Sequence, residues 1–154
     1  MRKVVIGGVL GAAAFALVAL AQPPGQEVLD SVEQYEQGGC VVVEVRFHMP
    51  AAYLSHFPLT DATQLRIEVQ LLQRPGALPQ GQREAARVAT AAPFNVRWVE
   101  FEAGQHGRGT LFVDFSGATR FAVAQGTDFR SILIGVPAQE GSNACSAERL
   151  RARP

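Results

Sequence analysis

Excess charge of either sign is missing from this 154-residue chain, in which 14 basic and 14 acidic side chains cancel. That excludes a histone-like or polybasic nucleic-acid binder. Cysteine is scarce, with only Cys40 and Cys145 present. No second cysteine or histidine stands at ligand spacing beside either, and His48, His56 and His106 lack the i, i+4 spacing of a helical zinc site, so no metal is expected. Also missing are a Gly-x-Ser-x-Gly elbow and a catalytic Cys-His pairing. The glycine-rich stretch Gly104-Gln-His-Gly-Arg-Gly109 lacks the Lys-Ser/Thr of a phosphate loop and reads as a hairpin turn. No nicotinamide, flavin or nucleotide fingerprint appears. The expectation is a protein that is not an enzyme and holds no cofactor.

What is present begins at the N-terminus. Arg2 and Lys3 precede an uncharged apolar run from Val4 to Leu20, and Ala19-Leu20-Ala21 supplies a small-x-small processing pattern just before Pro23-Pro24-Gly25. Together these read as a signal peptide over residues 1–21, cleaved after Ala21 and followed by a short linker at 22–27. A retained anchor is the other reading, because the run sits at the lower limit of about 17 residues for a membrane span. Its many glycines and alanines favour cleavage. No cysteine adjoins the site, so lipid modification is excluded. The mature chain carries 12 arginines, no lysine and 14 acids, a charge of −2 (12 − 14). Its length suits one domain with a real core. In an oxidising compartment the isolated cysteine pair reads as a disulfide. Closing a loop of about a hundred residues would contribute up to ~4.7 kcal/mol in the chain-entropy model.

Two-residue alternation dominates the rest. Val41, Val43, Val45 and Phe47 alternate with Val42, Glu44, Arg46 and His48; Leu65, Ile67, Val69 and Leu71 alternate with Arg66, Glu68 and Gln70. Leu111, Val113 and Phe115 do so against Thr110, Phe112 and Asp114, and Phe121 and Val123 continue after Ser116-Gly117. This is the pattern of strands with one dry face. Ser131 to Val136 is nearly continuously apolar, as for a strand covered on both faces. Val96 to Glu102 leaves its inward face open, and Val28 to Glu36 fits either a helix or the first arm of a hairpin closed by Gln37-Gly38-Gly39.

An internal repeat favours the hairpin. Val43-Glu-Val-Arg-Phe47, then Tyr53, then Leu65-Arg-Ile67 matches Leu111-Phe-Val-Asp-Phe115, then Phe121, then Ile132-Leu-Ile134. The offset is 68 residues for the first two marks (111 − 43) and 67 for the third (132 − 65). Val32-Glu-Gln-Tyr matches Val99-Glu-Phe-Glu upstream. Each half is then a hairpin, an aromatic crossing segment and a third strand, and the chain is expected to be all-β, a small sandwich of two related sheets. Between the halves, Gln73 to Pro93 reads as a loop with at most one helical turn around Arg83 to Val88. The tail from Ala138 to Pro154, tipped by Arg149, Arg151 and Arg153, reads as poorly ordered beyond the disulfide.

Binding chemistry rests on surface arginines and aromatics. Arg46, Arg66, Arg120 and Arg130 lie on or beside strands, and Tyr53 and His56 lie with Phe57 on the first crossing segment; stacking and guanidinium donors there could hold a sugar or a peptide carboxylate. Singly, each arginine also suits a solvated face, and Tyr53 and Phe57 also suit core plugs. Glu100 and Glu102, on one face of a strand, read as solvated and not as a glycosidase pair.

The repeated unit, in Val45-Arg-Phe-His-Met-Pro-Ala-Ala-Tyr-Leu-Ser-His-Phe-Pro58 with Leu65-Arg-Ile67, and in Leu111-Phe-Val-Asp-Phe115 with Arg120-Phe-Ala-Val-Ala-Gln-Gly-Thr-Asp-Phe-Arg-Ser-Ile132, resembles the AMIN domain. This is the amidase N-terminal module of Gram-negative envelopes, also similar to the N-terminal β domain of exported proteins carrying tetratricopeptide or sporulation-related repeats. The resemblance covers roughly Val28 to Val136. It implies a non-catalytic periplasmic targeting module over 28–146 that binds peptidoglycan or a septal or secretin partner. With no amidase, secretin or repeat region in the chain, a free-standing envelope adaptor is the expectation. The alternative is an interaction protein that adds a partner's strand at a sheet edge.

Overall fold

Gly38 and Gly39 both adopt positive φ, 58° and 81°. That two-residue turn matches the twist of an antiparallel pair, and it folds Leu29–Gln37 (β1) back on Cys40–Phe47 (β2). The segment with two readings is therefore a strand. The computed structural model describes residues 27–72, 80–87, 96–139 and 145–152. The signal peptide and its processing site lie outside the described residues, as does Arg153. Seven further strands follow: Ala51–Phe57 (β3), Asp61–Leu71 (β4), Arg83–Arg87 (β5), Val96–Ala103 (β6), Arg108–Arg120 (β7), Ala122–Gln125 (β8) and Ser131–Pro137 (β9). A short helix, Ala147–Arg151 (α1), closes the described chain.

Two antiparallel sheets result, in the orders β1-β2-β9-β8 and β3-β4-β7-β6-β5. The repeat read from sequence governs this topology. Exchanging β1, β2, β3 and β4 for β6, β7, β8 and β9 converts the first order into the second, β5 apart. Register follows: Val43 opposes Ile134 and Val45 opposes Ile132 in one sheet, and their repeat mates Leu111 and Val113 oppose Ile67 and Leu65 in the other. The hairpins agree as well, with Val32 opposite Val45 and Val99 opposite Val113. Each half thus contributes a hairpin to one sheet and two strands to the other, so neither half encloses a core by itself.

The alternating apolar residues meet between the sheets. Val43, Val45, Phe47, Ile132 and Ile134 face Leu65, Ile67, Val99, Phe101, Leu111 and Val113 in one cluster, with Phe47 and Phe101 in edge-to-face contact at 6.2 Å. Val99, Phe101 and Ala103 are the inward set of β6, and Trp98, Glu100 and Glu102 point outward.

Two expectations are corrected. Residues 83–87 form an edge strand and not a helical turn. Arg-Glu-Ala-Ala-Arg has good helix propensity, but pairing with β6 overrides it. Arg83 reaches Glu100 at 3.2 Å and Glu102 at 2.7 Å, and the Glu84 carboxylate accepts the amides of Val28 and Leu29. The tail is also ordered where described. Ser146 caps α1 by accepting the Arg149 amide, with Glu148 in the first turn and Arg149 and Arg151 in the last. Leu150, 2% exposed, packs with Val42, Ala124 and Leu133 on the outer side of the four-stranded sheet. Gly135 provides the seat, since a Cβ there would lie 2.7 Å from a Leu150 methyl. This explains the continuous apolar run of β9, which has a core on each side. The Cys40–Cys145 disulfide holds the helix there, with Cα atoms 5.6 Å apart. It is compatible with an exported protein. Among the described residues no helix is long and apolar enough to cross a membrane.

Candidate binding face

Among the described residues no helix lies over the outer face of the five-stranded sheet. Antiparallel register places residues on it in rows, because directly opposed residues share a face. One row runs Phe57, Arg66, Phe112, Glu100 and Ala85. The next runs Gln64, Asp114 and Trp98, and another runs Ser55, Glu68, Thr110, Glu102 and Arg83. Phe57 is 70% exposed and Trp98 is 44% exposed. The Arg66 guanidinium lies 5.9 Å from the centre of the Phe112 ring, a cation–π arrangement that holds both side chains on the surface.

The polar groups between the rings are fixed by one another. The Trp98 indole N–H donates to Asp114, whose other oxygen accepts from the Gln64 amide at 2.9 Å. Thr110 donates to Glu68 at 3.1 Å, and Arg83 bridges Glu100 and Glu102. The result is an amphipathic platform with the Phe57 and Trp98 rings exposed, the Phe112 ring half-buried beneath Arg66, and hydrogen-bonding groups already oriented. Such preorganisation lowers the ordering cost of binding.

The six residues selected from sequence fall in separate places. Arg66 lies on this face. Arg46 lies on the other sheet, 3.0 Å from the buried Glu44 carboxylate and 3.9 Å from Asp128; its Nε is buried without a hydrogen-bond partner. Arg130 is near it, its amide donating to Asp128 at 2.8 Å and its guanidinium to the His48 carbonyl at 3.3 Å. Arg120 ends β7 opposite Asp61. The Tyr53 hydroxyl and His56 Nδ1 are 2.6 Å apart, and the His56 ring packs 6.1 Å from Phe121. Partial burial pushes the Tyr53 phenol above its ordinary value, with the Arg151 charge acting in the opposite direction. Tyr53 packs on the core, whereas Phe57 is a surface residue and not a plug.

A small cavity of about 70 Å³ lies beside α1, between Glu44, Asp128, Ser131, Leu150 and Arg151. It is far below the few hundred Å³ of a typical small-molecule site, roughly 300 Å³ or more. Among the described residues no group of three or more His, Cys, Asp or Glu side chains could hold a metal. Sequence reasoning missed Trp98 and Phe112. Their signal was an aromatic at an outward position of an alternating strand, already present in Thr110, Phe112 and Asp114. Comparison with family models, with curated proteins and with solved structures finds no match to this chain.

Proposed function

We propose that this protein is a non-catalytic binding module of the cell envelope, exported by its N-terminal signal peptide to the periplasm, and that it contacts wall glycan through the open face of the five-stranded sheet. The observation that carries the reading is the row Phe57–Arg66–Phe112, with Trp98 beside it, on a face that no other described element covers. Sugar rings present apolar C–H faces edged by hydroxyls. Aromatic rings stack on those faces, and fixed carboxylates, amides and a guanidinium hydrogen-bond the edges. The face is mixed in charge, with Glu68, Glu100, Glu102 and Asp114 near Arg66 and Arg83. That favours a neutral saccharide surface over a strongly charged polymer.

The test is retention of the oxidised protein on purified peptidoglycan sacculi. Retention should persist at moderate salt, because stacking is screened less than ion pairing. Replacing Trp98 and Phe112 by alanine should lower the affinity about tenfold or more while the melting transition stays close to that of the parent. Absence of retention at low salt would sink the glycan reading.

A further inference from the structure

We infer that Arg66 reads a carboxylate on the ligand, and that this contact fixes where on the open face a saccharide lies. The inference rests on the glycan reading and adds the substituent that the sugar must carry. Arg66 is exposed on β4, and its guanidinium lies 5.9 Å from the centre of the Phe112 ring, within the reach of about 6 Å for a cation–π contact. Among the described residues no carboxylate pairs with it.

Acids stand close enough in register to have done so. Glu68 is two residues along the same strand, Asp114 is two residues along β7 from Phe112, and Glu100 is the next member of the row. Each is engaged elsewhere. Glu68 accepts from Thr110 at 3.1 Å, Asp114 accepts from Trp98 and Gln64, and Glu100 and Glu102 share Arg83. Arg46 and Arg83, by contrast, each reach two carboxylates. The acids of this face are thus held by its own neutral donors and by Arg83, which leaves a ring-anchored cation whose N–H groups await an acceptor.

Donor geometry selects the ligand group. A sugar hydroxyl can donate to any of the four carboxylates. A guanidinium offers donors alone, in a fork that matches the two oxygens of a carboxylate. Glu68, Glu100, Glu102 and Asp114 repel an anion set elsewhere among the aromatic rows, so a ligand carboxylate is directed to Arg66. Phe57 lies directly opposite on β3, one strand spacing of about 4.8 Å away, so the sugar ring that bears the carboxylate stacks there. A neutral ring surface with one such substituent fits this face, and a polyanion does not. Arg108 is also exposed on the same face, but it lies opposite Gln70, two rows from Phe57.

The test compares purified sacculi with sacculi whose carboxyl groups have been converted to amides by carbodiimide and ammonia. The oxidised protein should bind the amidated wall about tenfold less tightly or worse. Nonspecific attraction predicts the opposite, because beyond residue 21 the chain has 12 basic and 14 acidic side chains. Arg66→Gln should bind both walls alike, at the level of the parent on the amidated one. Arg66→Lys should recover part of the difference, and Arg108→Gln should behave as the parent. Equal retention of the parent on both walls overturns the inference and leaves the glycan reading standing, as does an R66Q protein that still prefers the native wall. An R108Q protein as impaired as R66Q also overturns it, since the charge would then act diffusely. Retention on neither wall at low salt removes the glycan reading itself. Sacculi stripped of peptide at the sugar-borne lactyl amide distinguish the two sources of carboxylate. A preference for the native carboxyls that survives stripping supports a carboxylate on the sugar, and one lost with the peptide overturns the stacking on Phe57 assigned above.

Discussion

On the four-stranded sheet, Leu133 lies beneath Leu150, and Val42, Ala124 and the Cys40–Cys145 bridge complete a second small core. At the corresponding places of the repeat, the five-stranded sheet carries Arg66 for Leu133 and Thr110 for Val42. Phe112 stands where the first sheet has Glu44. Register places Phe57, opposite Arg66, where the first sheet has Ala124, opposite Leu133. Two faces with one backbone plan have thus diverged. One has small and aliphatic residues that admit a helix, and the other has aromatic and charged residues that suit a ligand in water. The inner faces kept their apolar character because each half needs the other to bury it, whereas the outer faces were free to differ. A sheet face is set by its cover as much as by its own strands.

The largest test of this contrast is removal of the cover. Cys40→Ser with Cys145→Ser frees a loop with a sequence separation of 105, and stability should fall by about 2–5 kcal/mol. Denaturant midpoints of the two forms measure it. In hydrogen exchange, protection should be lost first at α1 and over β8 and β9, and the open face of the other sheet should be unaffected. Equal loss over both sheets would mean that the clip stabilises the whole sandwich and that the two faces do not differ as argued.

A smaller effect is expected at Leu150. Its replacement by alanine removes the side chain that fills the seat over Gly135 and should cost roughly 2–3 kcal/mol, read from the same denaturant series. Sacculus retention should be unchanged, since the proposed binding face lies on the other sheet. If retention falls in proportion to stability, the two faces are coupled.

Much of the contrast could be read from sequence. The strand alternation predicts which face of β2, β4, β7 and β9 turns inward, because a one-residue slip would turn apolar side chains to solvent. The 67- to 68-residue offset predicts two related halves, but the pairing of Val43 with Ile134 and of Leu111 with Ile67, across the halves, comes from the structure. The double-sided apolar run of β9 also announced a second cover. Its source was hidden, although Ser146, Glu148 and the arginines of α1 have the composition of a capped helix. Five residues are too few to form a helix by themselves, and it is Leu150 against the sheet, together with the disulfide, that fixes them. β5 was illegible for the opposite reason: local propensity favours helix, and only the Glu100 and Glu102 side chains of β6 show why Arg83 lies in a strand. The site was half legible. Arg66 was selected for its type, but Trp98 and Phe112 require the register of β4, β6 and β7 before they stand beside it.

The smallest effect concerns the rim of the covered face. Burial raises the affinity of the Asp128 carboxyl for its proton, but the Arg130 amide, the Ser131 hydroxyl and the Arg46 charge outweigh burial and hold its pKa below the ordinary carboxylate value. A carboxylate whose folded pKa is depressed contributes stability that is fully present above its unfolded pKa, about 3.9. That contribution is lost as the pH falls through the folded value. Asp128 is partly exposed, with a side-chain exposure of 42%, so solvent screening limits it to under about 1 kcal/mol. Asp128→Asn should therefore leave a slightly shallower decline of the urea midpoint between about pH 5 and pH 2 than the parent shows. The Asn side chain can still accept the Arg130 amide, which isolates the charge. An identical acid limb in the two proteins would show that Arg46 is held by Glu44 alone, and that the 126–130 loop is not tied to the covered face by charge.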